Sequence, residues 1–205
     1  MAQGVYKDME AVAALERDAE LMLRVKEGDE TSFELLLDKY RNSVVSYLYR
    51  MVQNQGVAEE LAQEVFFRVY RSRGSYEPTA KFTTWLFRIA THLALNSIRD
   101  HRRERGQERL DEAGEDARAI QVRDHRRNRE QEMVAEARLE EVRRAVATLP
   151  DKQRAAVLMH KYQELDYVQI AAVLGCSTSA VKSLLFRAYE ALRVRLCHMA
   201  EGRAS

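Results

Sequence analysis

The chain has 205 residues, 46% of them apolar and 32% charged, with few glycines and prolines beside many leucines, alanines, glutamates and arginines. That composition predicts an all-α protein of one large or two small domains. It lacks an apolar run long enough for a bilayer, a signal-peptide pattern and the cysteine density of a disulfide framework, so a cytoplasmic protein without membrane insertion and with reduced thiols is expected.

The formal net charge of +1 hides a pattern, because residues 1–31 sum to about −4, 32–103 to about +4, 104–151 to about −3 and 152–205 to about +4. Separate basic blocks joined by a non-basic connector would touch DNA at two places rather than coat it.

Residues 1–17 are acidic and lack a clear apolar repeat, which reads as a loosely ordered tail. Asp18 is a candidate cap for a short helix carrying Leu21, Met22 and Val25, ended by Gly28-Asp29. From Glu30 to Val52 a broad apolar face, including Phe33, Leu36, Tyr40, Val44, Tyr47 and Met51, predicts a helix packed against two neighbours. After a break at Asn54-Gln55-Gly56, the next helix buries Ala58, Leu61, Ala62, Val65, Phe66 and Val69. Its opposite face carries Glu60, Gln63 and Glu64, an acidic set inside a basic block that hints at a protein partner; a merely solvated face has the same composition.

Arg71 to Thr79 reads as a loop broken by Gly74 and Pro78, with Tyr76 among small and basic residues. An exposed ring there suits stacking on a flipped base, with Arg73 and Lys81 on phosphates; the alternative is a ring tucked onto the core. The helix from Phe82 to Arg99 can turn Phe82, Trp85, Leu86, Ile89, Leu93 and Ile98 inward. It offers Arg88, His92, Asn96 and Arg99 on its polar side.

Between His101 and about Asn128 charges of both signs replace apolar residues, the pattern of a flexible linker. The helical repeat returns near Met133 through Leu139, Val142, Val146 and Leu149, and Pro150 opens a helix filled by Ala155, Val157, Leu158, Met159 and Tyr162. Asp166 and Gln169 then form a capping pair, Gly175 supplies the left-handed stop, and Ser177 or Thr178 can cap a last helix buried through Val181, Leu184, Leu185, Ala188 and Leu192. This is a helix-turn-helix pattern. Ser179, Lys182, Ser183, Phe186 and Arg187 project from its second helix, a set suited to the major groove, where cations reach guanine or phosphate and an aromatic packs on a thymine methyl. Cys197-His198 has no second pair at metal-ligand spacing, and neither a nucleophile-base pair nor a phosphate-cradling glycine loop is found. No metal, cofactor or catalytic residue is expected.

Together these motifs resemble the extracytoplasmic-function class of bacterial sigma factors. The resemblance rests on Ala58-Glu-Glu-Leu-Ala-Gln-Glu-Val-Phe-Phe-Arg-Val-Tyr70 and Phe82-Thr-Thr-Trp-Leu-Phe-Arg-Ile-Ala90 in the first half. In the second half it rests on Leu149-Pro-Asp-Lys-Gln-Arg154, Asp166-Tyr-Val-Gln-Ile-Ala171 and Val181-Lys-Ser-Leu-Leu-Phe-Arg-Ala188. It implies two small helical domains, 18–104 and 135–200, the second a helix-turn-helix, joined by a charged flexible linker at 105–134. Glu60, Gln63 and Glu64 would dock on the clamp helices of the largest subunit of core RNA polymerase. Arg73, Tyr76, Lys81, Arg88, His92, Asn96 and Arg99 would melt and capture the minus-10 element, and Ser179, Lys182, Ser183, Phe186 and Arg187 would read minus-35. The linker would thread toward the active centre and RNA exit path, and the flap region, promoter DNA and an anti-sigma factor complete the implied partners of a free monomer. His92 stands where relatives commonly have Asn, and Leu184 where they commonly have a basic residue. A polymerase-independent helix-turn-helix regulator is the alternative from another class.

Overall fold

In the computed structural model residues 17–108 and 129–201 are described, with side chains at 17–104 and 136–197. The tail reading and most of the linker reading therefore fall outside the described residues, as does the side chain of His198. All regular elements among the described residues are helices: α1 (17–26), α2 (Glu30–Val52), α3 (Gln55–Arg71), α4 (Phe82–Glu108), α5 (Arg129–Ala147), α6 (Asp151–Tyr162), α7 (Tyr167–Leu174) and α8 (Thr178–Glu201).

Local chemistry places most helix ends. Asp29 caps α2 by accepting the Ser32 amide at 3.3 Å, and Asn54 caps α3 by accepting that of Val57 at 3.1 Å. Gln55 and Gly56 thus lie inside α3 rather than in a break before it. The α2 stop is Gln53, in the left-handed region at φ 58°, whose amide closes onto Tyr49 O.

Helices α1 to α4 form one lobe around Leu36, Val44, Tyr47, Leu48, Val65, Phe82, Leu86 and Phe87, all nearly or fully inaccessible to solvent. The second lobe, α5 to α8, closes over Leu149, Leu158, Met159, Ile170, Val181 and Leu185. The lobes do not stand apart: α7 packs on α4 and α6 on α2, and the buried residues of both belong to one continuous cluster.

Four further expectations change. Asp18 does not cap a helix, because Arg17 before it is already helical. Its carboxylate is instead buried, 1% exposed, where it accepts from Lys39 Nζ at 2.5 and 2.7 Å and from the Tyr40 hydroxyl. Burial, then this carboxylate, raises the Tyr40 phenol far above its ordinary range. Leu139, expected inside, is 58% exposed, and Tyr162, expected to fill α6, is half-exposed with the Arg50 guanidinium 4.0 Å above its ring. Finally, α4 continues through His101 and Arg102 to Glu108, into the stretch read as linker, because Arg102 finds Asp151 of the other lobe.

The Asp18 site carries a stability prediction. Asp18→Ala strands the Tyr40 hydroxyl in the core, a loss of about 1–3 kcal/mol. Lys39 is half-exposed and adds little to that figure. Thermal unfolding should shift down by roughly 3–10 °C, and Asp18→Asn, which keeps an acceptor, by less. A melting curve unchanged in Asp18→Ala would show that the carboxylate contributes nothing.

Candidate nucleic-acid interface

Helices α7 and α8 are joined by a turn with Gly175 in the left-handed region at φ 62°, and the chain bends by 99° across it. Asp166 and Gln169 form the reciprocal capping box at the start of α7, with both bonds at 2.8 Å. Ser177 Oγ accepts the Ala180 amide at 3.2 Å and so caps α8. Two helices at such an angle, joined by so short a turn, are the geometry that lets the second enter a groove while the first crosses the backbone.

On α8 the buried side is Val181, Leu185 and Ala188, with Leu184 and Leu192 partly covered. Ser179, Lys182, Ser183, Phe186 and Arg187 are all exposed on the other side. Phe186 is 68% exposed, so its ring covers no core. The two hydroxyls turn back on the helix, Ser183 Oγ donating to Ser179 O at 3.1 Å and Ser179 Oγ pairing with Ser177 Oγ at 2.9 Å. Among the described residues neither Lys182 nor Arg187 sits in an ion pair, which leaves both cations available to a ligand.

The candidate residues of the first lobe divide. Arg88, His92, Asn96 and Arg99 recur at helical spacing along α4 and form one exposed stripe, with Lys81 exposed just ahead of the helix. Arg73 is engaged: its Nη1 donates to Tyr70 O at 2.9 Å and its guanidinium lies 4.1 Å over the Tyr70 ring. Tyr76 departs from the expected exposed platform. Only 3% of it is accessible, its ring centroid lies 5.0 Å from that of Trp85 and 6.4 Å from that of Phe82, and its carbonyl accepts from Lys26 Nζ at 3.0 Å. Burial, then the nearby Asp18, raises its phenol pKa, and its hydroxyl has no hydrogen-bond partner among the described residues. The ring tucks inward because an aromatic floor of Phe82 and Trp85 lies directly beneath the loop. Stacking on a base would require the segment to lift.

A separate face belongs to α3. Glu60 and Gln63 are exposed and Glu64 half-buried, the last paired with Arg68 at 2.6 Å. Sequence reasoning missed Phe67, which continues the same stripe at helical spacing from Glu60, Gln63 and Glu64 and is 58% exposed. The missed signal was phase: with Val65, Phe66 and Val69 all buried, the residue between can only point outward. An apolar ring beside acidic groups is an interface composition, with an anchor inside a polar surround.

Comparison with known proteins agrees with this division. The family model for sigma-70 region 2 matches residues 36–104 and that for sigma-70 region 4 matches 139–192. The RNA polymerase sigma-H factor of Pseudomonas aeruginosa is 32% identical over 182 residues, covering 86% of this chain and 92% of the relative. ECF RNA polymerase sigma factor SigW of Bacillus subtilis is 31% identical, covering 84% and 93%, and the ECF RNA polymerase sigma-E factor of Escherichia coli is 32% identical, covering 85% and 92%. The fold is shared with CnrH in complex with the cytosolic domain of CnrY, at TM-score 0.64 and 19% identity over 89% of this chain and 98% of that one. It is shared as well with the sigma factor RpoE of Bartonella quintana in complex with the anti-sigma factor NepR, at TM-score 0.62 and 22% identity over 80% and 96%. With both family regions in order on one chain and relatives above 30% identity along nearly their whole length, the chain belongs to the extracytoplasmic-function class of the sigma-70 family of RNA polymerase sigma factors.

Proposed function

We propose that this sigma factor reads minus-35 with Ser179, Lys182, Ser183, Phe186 and Arg187 of α8. Minus-10 is melted and held by Lys81, Arg88, His92, Asn96 and Arg99, joined by Arg73 and Tyr76 once the loop that buries the Tyr76 ring lifts, and core polymerase binds the α3 face of Glu60, Gln63 and Glu64. What supports the assignment is the separation of surfaces: an exposed groove-reading face on α8, a basic and polar stripe on α4, and an acidic stripe on α3 within a basic lobe. One molecule thereby carries two nucleic-acid faces and one protein face. Its functional units are 18–104 and 135–200 with 105–134 as connector, and an anti-sigma factor governs its availability in the cytoplasm. It acts by binding and strand capture rather than as an enzyme in its own right. Among the described residues no single helix is long and apolar enough to cross a bilayer.

Within the α4 stripe His92 is exposed, and a neutral imidazole offers one donor and one acceptor on opposite sides of its ring. It stacks on, or donates to, a base or phosphate of the melted strand, where the amide of the family's common Asn would do both jobs from one compact group.

The test is in vitro transcription with purified core polymerase on a pool of templates with randomised upstream sequence. Initiation that depends on the added protein and selects a two-part promoter is expected. Sequence-specific binding of duplex by the free protein, with no gain from core, would replace this reading with that of a polymerase-independent regulator.

A further inference from the structure

Lys26, in the last turn of α1, sits in no ion pair among the described residues, and its Nζ donates at 3.0 Å to the Tyr76 carbonyl, 50 residues further on. That bond ties α1 to one end of the loop in front of α4. Tyr76 is the only buried residue between Arg71 and Lys81, and residues 77–81 that follow it are exposed. At its far end the loop is fixed to α4 itself, where Lys81 O accepts the amides of Thr84 at 2.9 Å and Trp85 at 3.3 Å. The exposed stretch is clamped at both ends, and the Tyr76 end is the one that can be released without unwinding α4.

The seat under that end is poorly satisfied. Among the described residues three buried side-chain polar atoms lack a hydrogen-bond partner, and two of them, the Tyr76 hydroxyl and Thr84 Oγ1, lie at this loop. A buried hydroxyl without a partner carries its full desolvation cost, and lifting the ring returns that of Tyr76 to water. Against this stand the contacts of the ring with Trp85 and Phe82, at 5.0 and 6.4 Å between centroids, and the Lys26 bond. The closed loop is thus held by ring contacts that every lift must break and by one ammonium anchored on a different helix.

We propose that Lys26 is a positioning residue for minus-10 capture, setting how well a template base must bind before the loop lifts and so how strictly that base is read. The inference rests on the minus-10 reading above. A base that lifts the loop in nearly every complex gains nothing from a looser tether, whereas one that lifts it in a small fraction of complexes gains in full. Loss of the ammonium therefore raises initiation on poor minus-10 elements and leaves the best one unmoved, which narrows the ratio between them. Lys26 belongs to none of the proposed DNA or polymerase faces, so its replacement acts through the loop.

The experiment compares the parent with Lys26→Met, which keeps the aliphatic stem and removes the donor, and with Lys26→Arg, which keeps a charged donor. Trp85 is the chain's only tryptophan and lies beneath the Tyr76 ring, so its emission in the free protein reports the lift directly. Acrylamide should quench Trp85 more strongly in Lys26→Met than in the parent or in Lys26→Arg, at an unchanged melting temperature. Holoenzyme assembled from core polymerase and each protein is then run on templates carrying each base at every minus-10 position. Lys26→Met should initiate about three- to tenfold more on the weak templates, the range for loss of one part-buried hydrogen bond, and at the parental level on the best one. Lys26→Arg should keep the parental preferences. Parental quenching in Lys26→Met, or a ratio of best to weak templates that stays at its parental value, overturns the proposal. Failure of the minus-10 reading looks different: the parent itself would show no base preference there, and the role in specificity falls with it even where Trp85 reports a looser loop.

Discussion

Lysines at positions 60, 63 and 64 of α3, introduced as Glu60→Lys, Gln63→Lys and Glu64→Lys, should abolish binding to core polymerase while leaving the melting temperature close to that of the parent. The two effects separate because the helix is anchored by its other side, where Ala58, Ala62, Val65, Phe66 and Val69 are buried and untouched. Glu60 and Gln63 are exposed, and the lost Glu64–Arg68 pair is a half-exposed i,i+4 contact worth a few tenths of a kcal/mol. Its replacement by two like charges costs a similar amount. If the dock receives acidic groups, the same change sets like charges across it, and juxtaposed like charges across an interface cost several kcal/mol, more than a hundredfold in affinity. Phe67→Ala should weaken binding without any charge change, as loss of an apolar anchor does. Competition for core against the labelled parent measures both. If the triple variant competes as well as the parent, the acidic stripe is only a solvated face.

Phe186→Ala and Lys182→Ala should fail in different ways. Phe186 projects from α8 with two-thirds of its surface in solvent, so its removal should alter stability by no more than about 0.5 kcal/mol. If the ring packs on a thymine methyl, preference at one minus-35 position relaxes by about 1–3 kcal/mol, a factor of roughly five to 150, with the other positions unmoved. Lys182 has no acidic partner among the described residues and is free to meet a phosphate. Its loss should then weaken binding on every sequence and reduce the salt dependence by about one unit of slope. Holoenzyme assembled with each variant, run on templates randomised at minus-35 at two salt concentrations, distinguishes the two patterns. Uniform weakening by Phe186→Ala would mean that the ring contributes contact area but no base discrimination.

The parts of this protein that sequence alone determined are those settled within one or two helical turns. The Asp166–Gln169 box, the left-handed Gly175, the Ser177 cap and the outward set on α8 follow from residues three or four apart. Hydrogen bonding and steric limits at that range scarcely depend on the rest of the chain. Phase within a helix is equally local, so the stripes of α3 and α4 were legible, and Phe67 was there to be found. Tertiary structure decided what a neighbouring segment covers. Tyr76 is hidden because Phe82 and Trp85 form its floor and Lys26, 50 residues earlier, holds its carbonyl. Leu139 has the right period for burial yet is exposed on α5. Arg154, in a motif that reads as an ordinary helix start, is buried because the end of α2, 103 residues away, presents an unpaired carbonyl. The seat between the lobes has the same origin: a charged stretch reads as a connector in sequence, but Arg102 ceases to be connector once Asp151, 49 residues on, accepts its guanidinium. Periodicity reports which face of a helix is apolar; which segment arrives to cover it is a property of the whole chain.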